Sequence, residues 1–260
     1  MNANYIVNNM LPEDRRFTID KYLESLNFNL TKDNLLYCLE TFTNNRKNLT
    51  ISGKVKIQKT SFTDQDIRGI DLNKFDITEA RFINTKVDKE QFKYILTYAK
   101  NGLTDIRGID IKGLDLIDLN LYNIDFTGVS FEQVKLDRKN IISLQDQLKN
   151  KKVNLRGADL QGVDLSGGYI VDNELGFNSY CYFDLEDMDF NEVNFQYANL
   201  SGARLNRSNF EGANLNNAKI VATYARYTNM KRASMVGAIL KYSDFYHSNF
   251  DFANLSNARV

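Results

Sequence analysis

The segment Asn199-Leu200-Ser201-Gly202-Ala203-Arg204-Leu205-Asn206-Arg207-Ser208-Asn209-Phe210-Glu211-Gly212-Ala213-Asn214-Leu215-Asn216-Asn217-Ala218 runs through four near-copies of one five-residue unit: a polar residue, a large apolar one, two polar ones and a small one. Counting in fives outward from it, from Leu155 to Val260, gives 22 positions, of which 20 are Leu, Ile, Val, Met or Phe. A chain that is 43% hydrophobic would place about half as many there by chance. Ile170, Leu175 and Tyr180 fall in this frame with the rest.

A helix of 3.6 residues per turn cannot keep every fifth residue on one face, and neither can a strand of period two. The chain must therefore turn a corner about every five residues, and four such sides close a square coil of 20. The large residue and the small one two places before it (Ala198, Ala203, Ser208, Ala213, Ala218) point inward, and the other three point out. Asp or Asn precedes the large residue in 13 of the 22 units, which suits a corner because these side chains bond nearby backbone. Gly two places after it, as in the Arg-Gly pairs at 68, 107 and 156, suits a tight corner and does not suggest a phosphate loop. The 155–260 block predicts about five and a half coils, paired as parallel strands roughly 4.8 Å apart.

Asn199-Leu200-Ser201-Gly202-Ala203 and Asn214-Leu215-Asn216-Asn217-Ala218 resemble the A(D/N)LXX signature of the pentapeptide-repeat family. The resemblance implies a mainly β fold, the right-handed quadrilateral parallel β-helix. It says little about activity, because members of that family do different things.

The frame continues upstream in two shorter blocks, Ile57 to Val87 and Ile106 to Leu136, and the step of 49 from Ile57 to Ile106 recurs from Ile106 to Leu155. Duplication of one long unit is the simplest origin. Each block ends in a segment with helical spacing, 88–105 (Phe92, Ile95, Leu96, Ala99) and 137–152 (Ile141, Leu144, Leu148), each led by an Asp fit to cap a helix. Both are expected to leave the tube and return, covering part of a side. Residues 1–54 lack the frame; 17–26 and 33–42 read as amphipathic helices, so 1–54 is expected to cap a β-helix running over 55–260.

The 33 basic and 33 acidic side chains balance, which excludes a strongly basic nucleic-acid binder and a molecule that copies the charge of DNA over its whole surface. Cys38 and Cys181 make neither a disulfide framework nor a metal-ligand spacing, and His247 is the one histidine. No cofactor or metal site is readable. The carboxylates are spread around a convex surface with no cleft to shield one of them, so the residues give no catalytic constellation. Met1 to Arg16 shows neither a cleavable secretory signal nor a membrane span, which leaves a bacterial cytoplasmic protein or one exported without such a signal.

With the interior committed to packing, function is expected on the outer walls. On the side centred on Leu185, Leu205, Ala225 and Phe245, residues 20 apart form three ladders: Asp184-Arg204-Tyr224-Asp244, Glu186-Asn206-Arg226-Tyr246 and Asp187-Arg207-Tyr227-His247. Exposed Tyr and Arg dominate binding hot spots, so Arg204, Arg207, Tyr224, Arg226, Tyr227, Tyr246 and His247 are the candidate partner-binding set. The same ladders also predict ion pairs between coils, Asp184 with Arg204 and Asp187 with Arg207, worth about 0 to 1 kcal/mol each. Asp172 to Val193 carries seven carboxylates and no Lys or Arg, an acidic band. At the other limit of the frame, Phe250, Leu255 and Val260 present a coil edge suited to end-to-end association with a second copy.

Three functional expectations follow. The resemblance implies a non-enzymatic recognition scaffold similar to pentapeptide-repeat effectors that bacteria deliver to bind a host protein. It also admits the substrate-recognition half of a larger HECT-like ubiquitin ligase continuing past Val260. The third is a DNA-mimicking protector of gyrase, which the 12 acidic and 9 basic residues of 153–260 weaken.

Overall fold

A five-residue side is too short to hold a conventional strand. In the computed structural model, which describes residues 31–33, 36, 55–57, 59–172 and 177–260, most sides contribute one or two backbone bridges to a neighbouring coil. The helices expected at 17–26 and 33–42 lie outside the described residues, apart from Asp33 and Leu36. The chain divides into two compact units, Met1–Asp110 and Ile111–Val260.

In the first unit, β1 (Val55–Lys56) pairs in parallel with β2 (Phe75–Asp76), and bridges Ser61 to Arg81 and Asp66 to Lys86 repeat the offset of 20. The predicted inward residues fill the coil: Ile57, Phe62, Ile67, Ile77 and Phe82 are fully buried, with the Phe62 and Phe82 rings stacked at 4.9 Å and 11°. Helix α1 (Lys89–Ala99) buries Phe92, Ile95, Leu96 and Ala99. The bridges that cross it, Arg81 to Asp105 and Lys86 to Asp110, each span four positions more than a plain coil. The helix therefore does not simply overlie a side: it replaces two sides of the square within this lengthened coil.

The second unit repeats this device and adds another. Helix α2 (Arg138–Lys149) buries Ile141, Leu144 and Leu148, and the bridges across it, Ser130 to Asn154 and Lys135 to Asp159, are again four positions longer. The next bridges, Asp159 to Asn194 and Asp164 to Asn199, reach much further, because an antiparallel hairpin of β3 (Gly168–Asp172) and β4 (Phe177–Cys181) leaves the coil. This corrects the count in fives. Ile170 and Tyr180 lie in the hairpin strands, and Leu175 lies outside the described residues. The excursion is three pentapeptides long, so the frame resumes at Leu185 in phase and the sequence shows no break. From Asp184 on, every bridge has an offset of 20, and Leu185, Phe190, Phe195, Leu200, Leu205, Phe210, Leu215, Ile220, Ala225, Met230 and Met235 are fully buried.

Corners form as the residue types suggest. The Asn199 side-chain oxygen accepts the backbone N–H of Ser201 at 3.2 Å, and Asn209 and Asn214 do the same two residues on. Two residues after most inward centres the backbone is left-handed, at Gly157 with φ 69° but equally at Arg207 (60°), Tyr227 (58°), Tyr242 (62°) and His247 (56°). Most corners thus carry a side chain where glycine would be free of strain. Buried hydroxyls close the remaining backbone: Ser208 donates to the Leu185 carbonyl at 2.6 Å and Thr228 to that of Leu205 at 2.9 Å.

Candidate protein-interaction face

The face centred on Leu185, Leu205 and Ala225 lies wholly within the second unit. Its ladders form by backbone pairing, Asp184 to Arg204 to Tyr224 to Asp244. The Leu185 N–H donates to the Arg204 carbonyl at 2.9 Å and that of Leu205 to Tyr224 at 2.7 Å. Side chains 20 apart are consequently held in columns.

The charged groups of this strip pair with one another. The Arg207 guanidinium donates to both oxygens of Asp187 at 2.7 Å, Arg226 to Asp244 at 2.5 Å, and Arg204 to Glu186 at 3.0 Å. The expected Asp184–Arg204 pair is not the one that forms. Asp184 is taken from the helix side, where Lys149 of α2 reaches its carboxylate at 2.6 Å and Gln145 donates to its carbonyl at 3.0 Å. Arg204 then turns diagonally to Glu186, which also accepts from Asn206 at 2.6 Å.

The Arg207 bonds hold Asp187 below the ordinary carboxylate range, and the Arg226 bond does so for Asp244. For Asp184, partial burial pushes upward but the Lys149 bond and the Glu186 N–H outweigh it, leaving a net lowering. Four carboxylates and four cations cancel, so the acidic band read from 172–193 does not survive as unpaired charge on this strip.

What remains outward is aromatic. Tyr227 and His247 stack at 5.3 Å and 20°, and Tyr246 meets both edge-on, at 6.3 Å and 3.9 Å. Tyr224 contacts Tyr182 edge-on at 5.4 Å. Tyr224, Tyr227 and Tyr246 are 44%, 56% and 59% exposed. The structure therefore brings Tyr227, Tyr246 and His247 into one cluster, sets Tyr224 beside Tyr182, and uses Arg204, Arg207 and Arg226 as the paired framework between them. Tyr182, Lys149 and Gln145 escaped the sequence reading; the first sits just after the hairpin, and the other two lie on a helix whose placement no pentapeptide count reveals.

Of the residues expected to form an association edge, Phe250 is partly exposed, Leu255 is 40% exposed and Val260 is 91% exposed. On another side of the second unit, an open groove of about 650 Å³ runs beside Gly128, Gly157 and the α2 exit at Lys151 and Lys152. Its Arg156 and Glu192 are paired at 2.8 Å. Among the described residues no group of three His, Cys, Asp or Glu could hold a metal ion, and no helix is long and apolar enough to cross a membrane.

A solenoid of five-residue sides whose outer columns are set by coil pairing defines a class of repeat protein. Residues 189–224 and 228–260 match the pentapeptide repeat family in eight copies. Over these residues the chain is built of pentapeptide repeats, and the fold is the right-handed quadrilateral β-helix expected from the sequence. Solved structures similar to it include a pentapeptide repeat protein from the Arabidopsis thaliana thylakoid lumen, 21% identical, covering 40% of this chain and 63% of that one, with a TM-score of 0.34. This chain thus spans less than two thirds of that relative. QnrB1, a plasmid-mediated fluoroquinolone resistance protein, is 15% identical over 78% of this chain and 69% of its own, at a TM-score of 0.33. HetL, involved in heterocyst differentiation regulation in the cyanobacterium Nostoc, is 19% identical over 79% and 86%, at 0.20. No curated protein matches the sequence.

Proposed function

We propose that this chain is a non-enzymatic recognition scaffold that binds a protein partner through the Tyr-rich face of its C-terminal coils. The observation that carries this reading is the cluster of Tyr227, Tyr246 and His247, with rings ordered against one another and exposed, Tyr227 on the coil of the fully buried Ala225 and the other two beside the partly exposed Phe245. Rings held in place lose little freedom on binding, which is what makes tyrosine a hot-spot residue. The finer reading is a bacterial effector type whose partner is a host protein, delivered without a cleaved signal. A gyrase-protecting DNA mimic would need columns of unpaired carboxylates, and Asp184, Glu186, Asp187 and Asp244 are all engaged by cations.

The test is capture with a photo-crosslinking residue in place of Tyr227, compared with the same residue at Tyr197 on a different corner. A partner that crosslinks at 227 alone, and is lost in the double variant Arg207→Ala/Tyr227→Gly with unchanged circular dichroism, supports the reading. Capture that survives the double change overturns it.

A further inference from the structure

We infer that the groove at the α2 exit binds a phosphate monoester, whose double charge and oxygen acceptors meet two unpaired lysines and an unpaired corner N–H. The groove is on a different side from the Tyr-rich face, and neither proposal depends on the other.

The two copies of the long repeat leave their helices in the same way. After α1, the Gly102 N–H donates to the Ala99 carbonyl at 2.9 Å and that of Leu103 to Tyr98 at 3.1 Å. At the equivalent places after α2, the Lys151 N–H donates to Leu148 at 3.0 Å and that of Lys152 to Gln147 at 2.8 Å. Gly102 and Lys151 are both left-handed, with φ 67° and 54°. From here the copies differ. In the first, the exit closes onto a corner of the preceding coil, where the Glu79 N–H donates to the Leu103 carbonyl. The equivalent corner in the second is Gly128, and its N–H bonds to no described residue. The Gln147 carbonyl takes a second N–H, that of Val153 at 3.3 Å, and an open groove of about 650 Å³ separates Gly128 from the exit.

Charge changes with shape. Glu79, Gly102 and Leu103 of the first copy correspond to Gly128, Lys151 and Lys152 of the second, so one carboxylate is lost and two cations arrive. The other ions lining the groove are paired: Arg156 donates to both oxygens of Glu192 at 3.0 and 2.8 Å, and Lys112 holds Glu132 at 2.7 Å. Asp187, whose carboxylate senses Lys151, is itself held by Arg207 at 2.7 Å. Lys151 and Lys152 are exposed and form no ion pair with a described residue.

The chain shows what such a corner accepts. Where a corner N–H meets the start of a helix, a carboxylate oxygen satisfies it: Asp88 for Gly69 at 2.9 Å and Asp137 for Asp118 at 3.0 Å. Gly128 is suited to an anionic oxygen of the same kind, and the two lysines call for two charges. A carboxylate supplies one. A phosphate monoester carries about −1.5 to −2 at pH 7 and offers three acceptor oxygens, and lysine meets phosphate as a point charge. The groove's openness leaves room for the group that bears the phosphate.

The experiment is calorimetric titration of the full chain at low salt, where exposed charges are least screened. The probes are glycerol 3-phosphate, a blocked alanine peptide carrying one phosphoserine, and the same peptide carrying one glutamate. At least one phosphate ester is expected to bind saturably and about tenfold or more tighter than the glutamate peptide. Lys151→Gly/Lys152→Leu, which installs the residues of the first copy, is expected to weaken that binding about tenfold or more, and Lys152→Gln, which removes one exposed charge, about threefold, each with unchanged circular dichroism. Tighter binding of the phosphopeptide assigns the phosphate to a modified side chain; glycerol 3-phosphate binding as tightly or more so assigns it to a small ester. No saturable binding of either ester, a glutamate peptide that binds as tightly, or an affinity unaltered in the folded lysine variants each overturns the inference.

Discussion

Asp88 and Asp137, which hold equivalent places in the long repeat, make the same set of hydrogen bonds. Each caps its helix by accepting the N–H of the third helical residue (Gln91 at 2.9 Å, Asn140 at 2.8 Å), and that residue's side chain returns a bond to the Asp N–H at 3.0 Å. The second carboxylate oxygen accepts a corner N–H one coil earlier, Gly69 at 2.9 Å and Asp118 at 3.0 Å. Even the amides agree: Gln91 donates to the Ile70 carbonyl and Asn140 to that of Leu119. The long repeat read from the sequence is thus a repeat of one joint, in which a helix starts and a coil corner is tied down by one side chain.

Because the carboxylate serves both helix and corner, truncating it leaves two kinds of backbone donor unsatisfied. Asp137→Ala is expected to cost about 2 kcal/mol, at the upper end of helix-cap losses, whereas Asp137→Asn, which keeps an acceptor, costs less than half of that. Urea unfolding followed by circular dichroism measures both. Equal midpoints for the two variants would show that the joint does not depend on the acceptor.

Left-handed corners that carry side chains store strain that glycine would release. Tyr242 is 89% exposed at φ 62°, so little packing offsets its strain. Tyr242→Gly is expected to stabilise the protein by about 0.5 to 1 kcal/mol, and Tyr242→Val to destabilise it by a similar amount or more. At Tyr227 the gain is reduced by the lost stack on His247, and the net change should be near zero. Differential scanning calorimetry orders the three; a fall in Tm for Tyr242→Gly contradicts the account.

The paired face also sets an acid response. Asp184, Asp187 and Asp244 titrate below the ordinary carboxylate value of 3.8, so their pairs stabilise the folded chain above that pH. The contribution fades as pH falls from about 3.8 toward the lowered values, because the unfolded chain binds its protons first. Arg207→Gln should flatten the decline of Tm below pH 4, with little effect at pH 7 because the pair is exposed. A slope identical to that of the unaltered protein would show that Asp187 gains nothing from Arg207.

Reading in fives revealed what repeats and missed what interrupts in phase. Leu200, Phe210 and Leu215 are buried as the frame requires, because one inward residue per side is a demand of the coil itself. The helices were legible, since 3.6-residue spacing and an Asp cap are local signals, but their substitution for two sides was not, because it depends on which coil the chain rejoins. The diagonal Arg204–Glu186 bond was hidden for a related reason: it exists because Lys149, far back in the chain from Asp184, arrives on α2 and occupies that carboxylate.

The hairpin gives the sharpest test of this view. Gly168 to Tyr182 amounts to three whole sides, so joining Gly167 to Phe183 keeps Leu165 and Leu185 consecutive inward positions and brings the Asp164 and Asp184 columns onto adjacent sides. Arg138 already holds both ends of the excursion: it donates to the carbonyls of Asp164 and Ser166 at 3.1 and 2.9 Å, and its guanidinium lies 4.4 Å over the Phe183 ring. Deletion of 168–182 should therefore leave a folded solenoid with the β signal retained and a Tm within about 4 °C, the shift that roughly 1 kcal/mol produces in a chain of this size. Deleting 168–180 instead, two short of three sides, puts Leu185 out of phase with Leu165 and should leave the coils after the hairpin unable to pair in register with those before it. If the two deletions behave alike, the hairpin does more than pass out of the coil and back, and the five-residue phase is not what aligns the chain on either side of it.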